Sequence, residues 1–463
     1  MGPPRYRRAG MIERMHWSPS QLAAATAGRL VESIAGERDA VVTSVTIDSR
    51  LVRPGGLFVP IVASRDGHAF LQDAIDHGAA AVIFATGQAP TGVPAIQVAD
   101  TSVALLDLGR AARGRLDGPV VGITGSVGKT STKDLAATAL GRRWVVAASE
   151  RSFNNELGVP LTLVNAGPDT GVTVLEMGAR GPGHIRLLCE VARPTIGVVT
   201  AVAAAHTDSF RSLDAIAAAK GELIEALPEA GTAVLNADDE RVAAMARRTS
   251  APVLRYSAAA AGGADIVASQ VSLDKELRAR FVLRSPWGSA AVHLGARGLH
   301  QVGNALAAGA VALRCDVPVG EVAVALEQAV MSPWRMQLER TRRGAFVLND
   351  AYNANPASMA ASLQALVALP ATRRVAVVGL MAELGDLAVS AHQEAAELAA
   401  SLGIELIVVG TDLYGVPPVD GVDGALAALR SRLGGDPAEG DAVLVKASRV
   451  VGLEQLAAQL LDS

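Results

Sequence analysis

The chain has 463 residues, too many for one hydrophobic core and enough for about three domains of ordinary size. Half of the residues are hydrophobic and only 3% aromatic, a balance that suits layered helices and parallel sheets. A net charge of −4 leaves no basic footprint for nucleic acid or an acidic membrane surface. The two cysteines, Cys189 and Cys315, have neither pairing nor metal-ligand spacing, which predicts reduced core residues of a cytosolic protein.

The opening MGPPRYRRAG is basic but lacks the apolar stretch of a signal peptide. Residues 1–15 read as a disordered tail, with Met11 or Met15 as alternative starts. No apolar run approaches the ~20 residues needed to span a bilayer, so a soluble protein without membrane insertion is expected. Residues 16–117 carry short strands (AVVTSVTID, GLFVPIV, AAVIFA) between the turn-rich VRPGG and SRDGHAF, then a helix over SVALLDLGRAARGRL. Two polar clusters, IDSR (Ile47 to Arg50) and RDGH (Arg65 to His68), fall at strand ends and read by composition as loops. Asp117, Gly118 and Pro119 form a hinge.

In residues 118–333 the strands VVGIT, VPLTLV, GVTVLEMG, TIGVVTAV and GTAVLN alternate with helices, the pattern of a parallel sheet covered on both faces. VVGITGSVGKTSTKD departs from the strict phosphate-loop spacing, because Ile123 stands where a glycine belongs. The physics survives the mismatch. A buried strand ends at Thr124, Gly125 and Gly128 allow a tight turn through Ser126 and Val127, and a helix begins near Lys129. Backbone N–H groups then face a polyphosphate, with Lys129 placed to neutralise oxygens and the Thr130 hydroxyl to reach Mg²⁺, followed by Ser131. An ordinary glycine turn is the plainer alternative.

Open parallel sheets put their chemistry outside the carboxyl ends of the strands. Glu176 closes VTVLE and His206 follows TIGVVTAVAAA, so both fall at the edge that holds Thr130 and can offer metal ligands there; solvated strand ends are the alternative. In SLDAIAAAKGELIEAL, with Ser212 as N-cap, Leu213, Ile216, Lys220, Leu223 and Leu227 share one face. A lysine in an apolar stripe either snorkels to solvent or loses its charge, and a neutral amine can take up carbon dioxide as a carbamate, an oxygen ligand for a second Mg²⁺.

Residues 334–463 alternate again: AFVLND, RRVAVVG, IELIVVG and DAVLVK separated by helices, a small Rossmann-like domain. Asp350 ends a strand, where it can meet a ribose hydroxyl or a phosphate-linked water. Asn355 with Pro356 makes a cap and first-turn pair, and Arg335 sits where a hinge arginine can swing onto a phosphate.

Together these residues resemble the Mur ligase family. Its loop is T-G-x-x-G-K-[ST], here Thr124 to Thr130, and IDSR, RPGGLF, DGH, FNNELGVP (Phe153 to Pro160), LEMGAR (Leu175 to Arg180), AH with AAAKGE, VLNADD, GLHQVGNALAA (Gly298 to Ala308), NDAYNANPASM and VLVKASR follow in the family's order. Three places depart from it: His300-Gln301-Val302, Gly379-Leu380-Met381, and Lys446-Ala447-Ser448-Arg449. The resemblance implies three α/β domains: an N-terminal UDP-sugar-peptide-binding domain, a central phosphate-loop ATPase domain and the Rossmann-like one. It implies the ATP-dependent joining of UDP-N-acetylmuramoyl-tripeptide to D-alanyl-D-alanine through an acyl phosphate, a cytoplasmic step, YNANP marking that branch; a monomer is expected. Lys129 and Thr130 would hold the ATP phosphates and Mg²⁺, Glu176 and His206 would bind Mg²⁺, and Lys220 would be carbamylated. Asn304 would face adenine, with Arg335, Asp350 and Tyr352 on the nucleotide. Ser49, Arg50, Asp66, Gly67 and His68 would contact the UDP end, and Asn154 and Asn155 the acceptor region. A different Mur-type substrate, a phosphate-loop kinase or GTPase, and a non-catalytic nucleotide-gated binder are the rival readings; no N-K-x-D base-reading motif supports a GTPase.

Overall fold

The computed structural model describes residues 15–31, 40–150, 153–204, 210 and 212–462. The expected tail lies outside them except for Met15, which is packed into the core. Among the described residues three sheets follow one another along the chain.

The first contains β1 (Arg29–Val31), β2 (Ser44–Thr46), β3 (Gly56–Phe58), β4 (Ala79–Phe84) and β5 (Ala95–Gln97), in the order β1-β5-β4-β3-β2. All pairings but β1 with β5 are parallel. Ala81, Val82, Ile83 and Phe84 are buried on both faces of β4, as a central parallel strand requires. The helix Thr101–Arg113, capped by Asp100, then leads to the central sheet.

That sheet has nine strands: β6 (Val120–Thr124), β7 (Val146–Ala148), β8 (Val172–Glu176), β9 (Ile196–Val199), β10 (Thr232–Asn236), β11 (Val253–Ser257), β12 (Ile266–Leu273), β13 (Arg278–Ser285) and β14 (Gly288–Arg297), ordered β14-β13-β12-β11-β10-β9-β6-β8-β7. Two expectations are corrected. VPLTLV is not a strand but most of the helix Gly158–Val164, because a short, mostly buried and mostly apolar run satisfies either element; the strand in this position is β7. The sheet is also not parallel throughout. β12 to β14 are antiparallel and show the one-sided burial of a sheet with one wet face, the dry face packing on the helices Gln301–Arg314 and Val319–Gln328.

The third sheet contains β15 (Gln337–Arg340), β16 (Phe346–Asn349), β17 (Arg373–Val378), β18 (Glu405–Val408) and β19 (Asp441–Lys446), in the order β15-β16-β19-β17-β18. Only the pairing of β15 with β16 is antiparallel. Helices cover both faces through separate apolar clusters. Among the described residues no helix is long and apolar enough to cross a membrane.

Candidate active site

β6 lies between β8 and β9, so Thr124, Glu176 and the residue after Val199 reach the same sheet edge. This is the point where the strand order reverses, the place at which open α/β sheets bind their ligands. From Thr124 the chain turns through Gly125 and Gly128 into the helix Lys129–Leu140. Gly128 has φ +84, and an added Cβ would stand 2.4 Å from Asn304 Oδ1; one on Gly125 would stand 1.9 Å from Thr200 Oγ1. Gly125 is therefore demanded by close approach, and Gly128 by its left-handed backbone with Asn304 crowding it. The first N–H groups of the helix have no intrahelical acceptor and face outward with the positive end of its dipole. Ser126 is turned away from this cradle: its Oγ donates to Ala203 O at 2.8 Å. Ser131 is buried against Gln301, whose Nε2 approaches its Oγ at 3.4 Å.

Glu176 is 1% exposed, and both its carboxylate oxygens are engaged. Thr130 Oγ1 donates to Oε2 at 2.7 Å, Asn154 Nδ2 donates to Oε1 at 2.8 Å, and the Glu176 backbone N–H donates to Ser149 Oγ at 3.2 Å. Arg335 Nη2 in turn donates to Thr130 Oγ1 at 2.9 Å. The hydroxyl, the carboxylate and the guanidinium thus form one chain. Lys129 Nζ folds back onto Gly125 O at 2.8 Å. Burial pulls its pKa down, Glu176 opposing and Arg335 adding to the shift.

Lys220 lies where its stripe places it, on the helix Leu213–Glu225 with Ser212 capping Ala215 N. It is 3% exposed, without a hydrogen-bond partner among the described residues, and burial followed by the nearby Lys129 ammonium holds it well below the usual lysine range. Its neighbours are structural. The close approach of Gly221 to the Arg248 guanidinium leaves no room for a side chain, and Glu222 accepts from the N–H groups of Gly183 and Arg186 at 2.7 and 2.9 Å. His206 lies outside the described residues.

From the third sheet, Arg335 stacks over Tyr352 at 4.1 Å. Asp350 is not an open carboxylate: Lys446 Nζ donates to its Oδ2 at 2.5 Å, Ser362 Oγ at 2.7 Å, and Met336 N donates to Oδ1 at 3.0 Å. Sequence reasoning passed over this Lys446 pairing, although register carries the signal: Asn349 pairs with Val445, so opposite charges follow on adjacent strands. Asn304 Nδ2 donates to Gln301 Oε1 at 2.8 Å, leaving its amide at the edge of the loop. Arg335 Nε and Thr124 Oγ1 are buried without a hydrogen-bond partner among the described residues.

A second feature is a cleft of 1610 Å³ between the first and central sheets. Ser49, Arg50 and Gly67 line it, with Arg53 and Arg65 adding positive charge and Phe70 and Phe153 an apolar wall. Asp66 and His68 stand behind it as a pair: His68 Nδ1 meets Asp66 Oδ1 at 2.6 Å, and Nε2 accepts from Ala85 N at 3.0 Å. Asn155 spends its side chain on the N–H groups of Leu157 and Gly158. The cleft and the phosphate loop are joined through Phe153, Asn154 and Glu176.

Residues 123–312 match the Mur ligase middle domain, and residues 334–449 the Mur ligase, glutamate ligase domain. The UDP-N-acetylmuramoyl-tripeptide–D-alanyl-D-alanine ligase of Mycobacterium tuberculosis is 42% identical over 91% of this chain and 92% of its own. The crystal structure of MurF from Acinetobacter baumannii superposes with a TM-score of 0.87 over 98% of this chain and 100% of that one, at 28% identity. MurF ligase from Thermotoga maritima, solved in complex with ADP, gives 0.78 over 90% and 97%, at 27% identity.

Proposed function

The chain belongs to the Mur ligase family, and on that premise we propose that it joins UDP-N-acetylmuramoyl-tripeptide to D-alanyl-D-alanine with hydrolysis of ATP, in peptidoglycan precursor synthesis. The observation that carries the reading is the buried Glu176 bonded to Thr130 of a phosphate loop, with Lys129 folded onto Gly125 and the buried Lys220 close enough to feel its charge. The resident ion that such a site calls for is Mg²⁺. Hydroxyl and carboxylate are the hard oxygen donors it prefers, so Thr130 and Glu176 fit it. His206 and a carbamate on Lys220 would complete two sites, and the metal when bound screens phosphate charge.

The tripeptide carboxylate must approach the γ-phosphate of ATP, anion against anion. Lys129 and Arg335 supply fixed positive charge where charge moves in that transfer. The outward N–H groups of Gly128 and the helix start cradle the phosphates, and Asn304 and Tyr352 border the base. Asp350 acts through its fixed place at the strand end, locked by Lys446. Ser49, Arg50 and Gly67, backed by Asp66 and His68, receive the UDP end, where three arginines match a diphosphate. Asn154, on the Glu176 carboxylate, stands between this cleft and the phosphate loop, so the carboxylate of the peptide arrives beside the ATP. The acyl phosphate formed is then attacked by the dipeptide amine, and phosphate leaves. Acyl phosphates hydrolyse, which favours a site shut between domains. A cytoplasmic monomer suits nucleotide-linked substrates of this kind.

Phosphate release from ATP with Mg²⁺, measured with each substrate alone and with both, tests the reading, with mass detection of the joined product. Release and product only with both substrates are expected, and their loss in Lys129→Ala. Turnover with a different UDP-sugar peptide or amine instead would keep the mechanism and overturn the substrate choice.

A further inference from the structure

The phosphate loop does not hold its shape alone. Thr200, the first residue after β9 and 4% exposed, lies beneath it. Its N–H donates to Thr124 O at 3.0 Å, and its Oγ1 lies 3.2 Å from the same oxygen and 2.5 Å from Val127 O. A hydroxyl has one proton, and Thr124 O already has a donor, so the proton belongs to Val127 O. Thr200 is itself fixed from β10 and β11: Asn236 Nδ2 donates to its carbonyl at 2.8 Å and Tyr256 Oη at 3.3 Å. Ser126 N to Ala201 O at 2.8 Å and Ala203 N to Ser126 Oγ at 3.0 Å complete the floor.

From this arrangement we infer that Thr200 is a positioning residue for nucleotide binding, acting through the Val127–Gly128 peptide. In a trans peptide the C=O and the following N–H point in opposite directions. Holding the Val127 carbonyl down on Thr200 therefore aims the Gly128 N–H up, into the cradle that the helix start continues. The same hydroxyl is the atom that forbids a side chain on Gly125. Asn236, from the VLNADD stretch, contributes by keeping Thr200 in place rather than by touching a ligand. The inference rests on the nucleotide reading of the loop.

The test is calorimetric titration of the full chain with Mg·ADP, comparing wild type with Thr200→Val, Thr200→Ala and Thr200→Ser. Loss of one hydroxyl that orients a cradle donor should weaken binding about tenfold in the Val and Ala variants and about twofold or less in Ser. The KM for the UDP-linked substrate should stay put in all three. If Val and Ala bind Mg·ADP like wild type, or Ser loses as much as Val, the inference is overturned while the loop assignment stands. If wild type and Lys129→Ala bind alike, the loop assignment falls and takes the inference with it. Thr200→Ala carries the result should Val prevent folding, since it adds no bulk against Gly125.

Discussion

Gly128 and Gly183 offer a controlled comparison inside one molecule. Each precedes a helix, with φ 84 and ψ −11 at Gly128 and φ 83 and ψ −14 at Gly183. Alanine in that left-handed backbone costs about 1–2 kcal/mol at either place. Their surroundings differ: a Cβ on Gly183 meets nothing within 4 Å, whereas one on Gly128 stands 2.4 Å from Asn304 Oδ1. Asn304 can swing away, but it must move roughly 1 Å to reach ordinary contact distance, which gives up the 2.8 Å hydrogen bond to Gln301. That adds about 1 kcal/mol, or about fivefold in affinity, and falls on the residue proposed to border the base. Gly183→Ala should lower thermal stability and leave Mg·ADP affinity untouched, while Gly128→Ala should weaken Mg·ADP at least about fivefold beyond that control. In an Asn304→Ala background the excess should vanish, as a double-mutant cycle requires when one contact carries the effect. Equal losses in the two glycine variants, or an excess that survives without Asn304, would refute the argument.

Lys220→Ala should lose activity and regain part of it with short carboxylic acids, which would stand in for the carbamate proposed on Lys220; full activity without rescue would make Lys220 a packing residue. Lys446→Met removes one partner of a pair in which the lysine is 1% and the aspartate 14% exposed. Asp350 keeps Ser362 and Met336 N, so the cost should sit near the low end for a broken buried pair, about 3 kcal/mol, read as lost hydrogen-exchange protection in β19; unchanged protection would sink the claim. His392 is wholly buried: Nδ1 faces Ala388 O at 2.6 Å and Nε2 accepts from Met381 N at 2.8 Å. Burial holds its pKa below the ordinary value, the bond to Ala388 opposing. The unfolded chain therefore binds the proton more tightly, and the stability contributed by His392 is present above about pH 6.5 and lost as pH falls toward the folded value. His392→Asn should flatten the dependence of the urea midpoint on pH across that window, and an unaltered slope would contradict the assignment.

Local chemistry was legible in the sequence wherever one short stretch supplied both partners. Ser212 caps its helix, Asn355 and Pro356 open theirs with a capping box, and the loop between Thr124 and Lys129 turns where its glycines allow. Lys220 was legible for the same reason, since a stripe of one periodicity contains its own context. VPLTLV shows the limit. Val159, Leu161 and Leu163 are buried along with Pro160 and Val164, and only Thr162 is not, so period carries little information when so few positions are wet.

What stayed hidden depends on partners brought together by the sheets. Thr200 and Val127 are 73 positions apart, Lys446 and Asp350 96 positions, Arg335 and Thr130 205 positions. Thr200, Val127 and Lys446 have a plain local reading as strand end or loop, and strand order turns them into part of a site; Thr130, Arg335 and Asp350 are legible one by one, but their contacts are not. The register is what converts one into the other: Thr124 beside Val199, Ile123 beside Glu176, Asn349 beside Val445. A parallel sheet aligns the carboxyl ends of strands distant in sequence, so residues just past those ends face each other by construction. The departure at Gln301 sits within the same arrangement, for its side chain reaches Asn304 at 2.8 Å and Ser131 at 3.4 Å. A substitution beside the site is absorbed where its partners lie on rigid helix starts, and Asn304 keeps its place at the mouth of the phosphate loop.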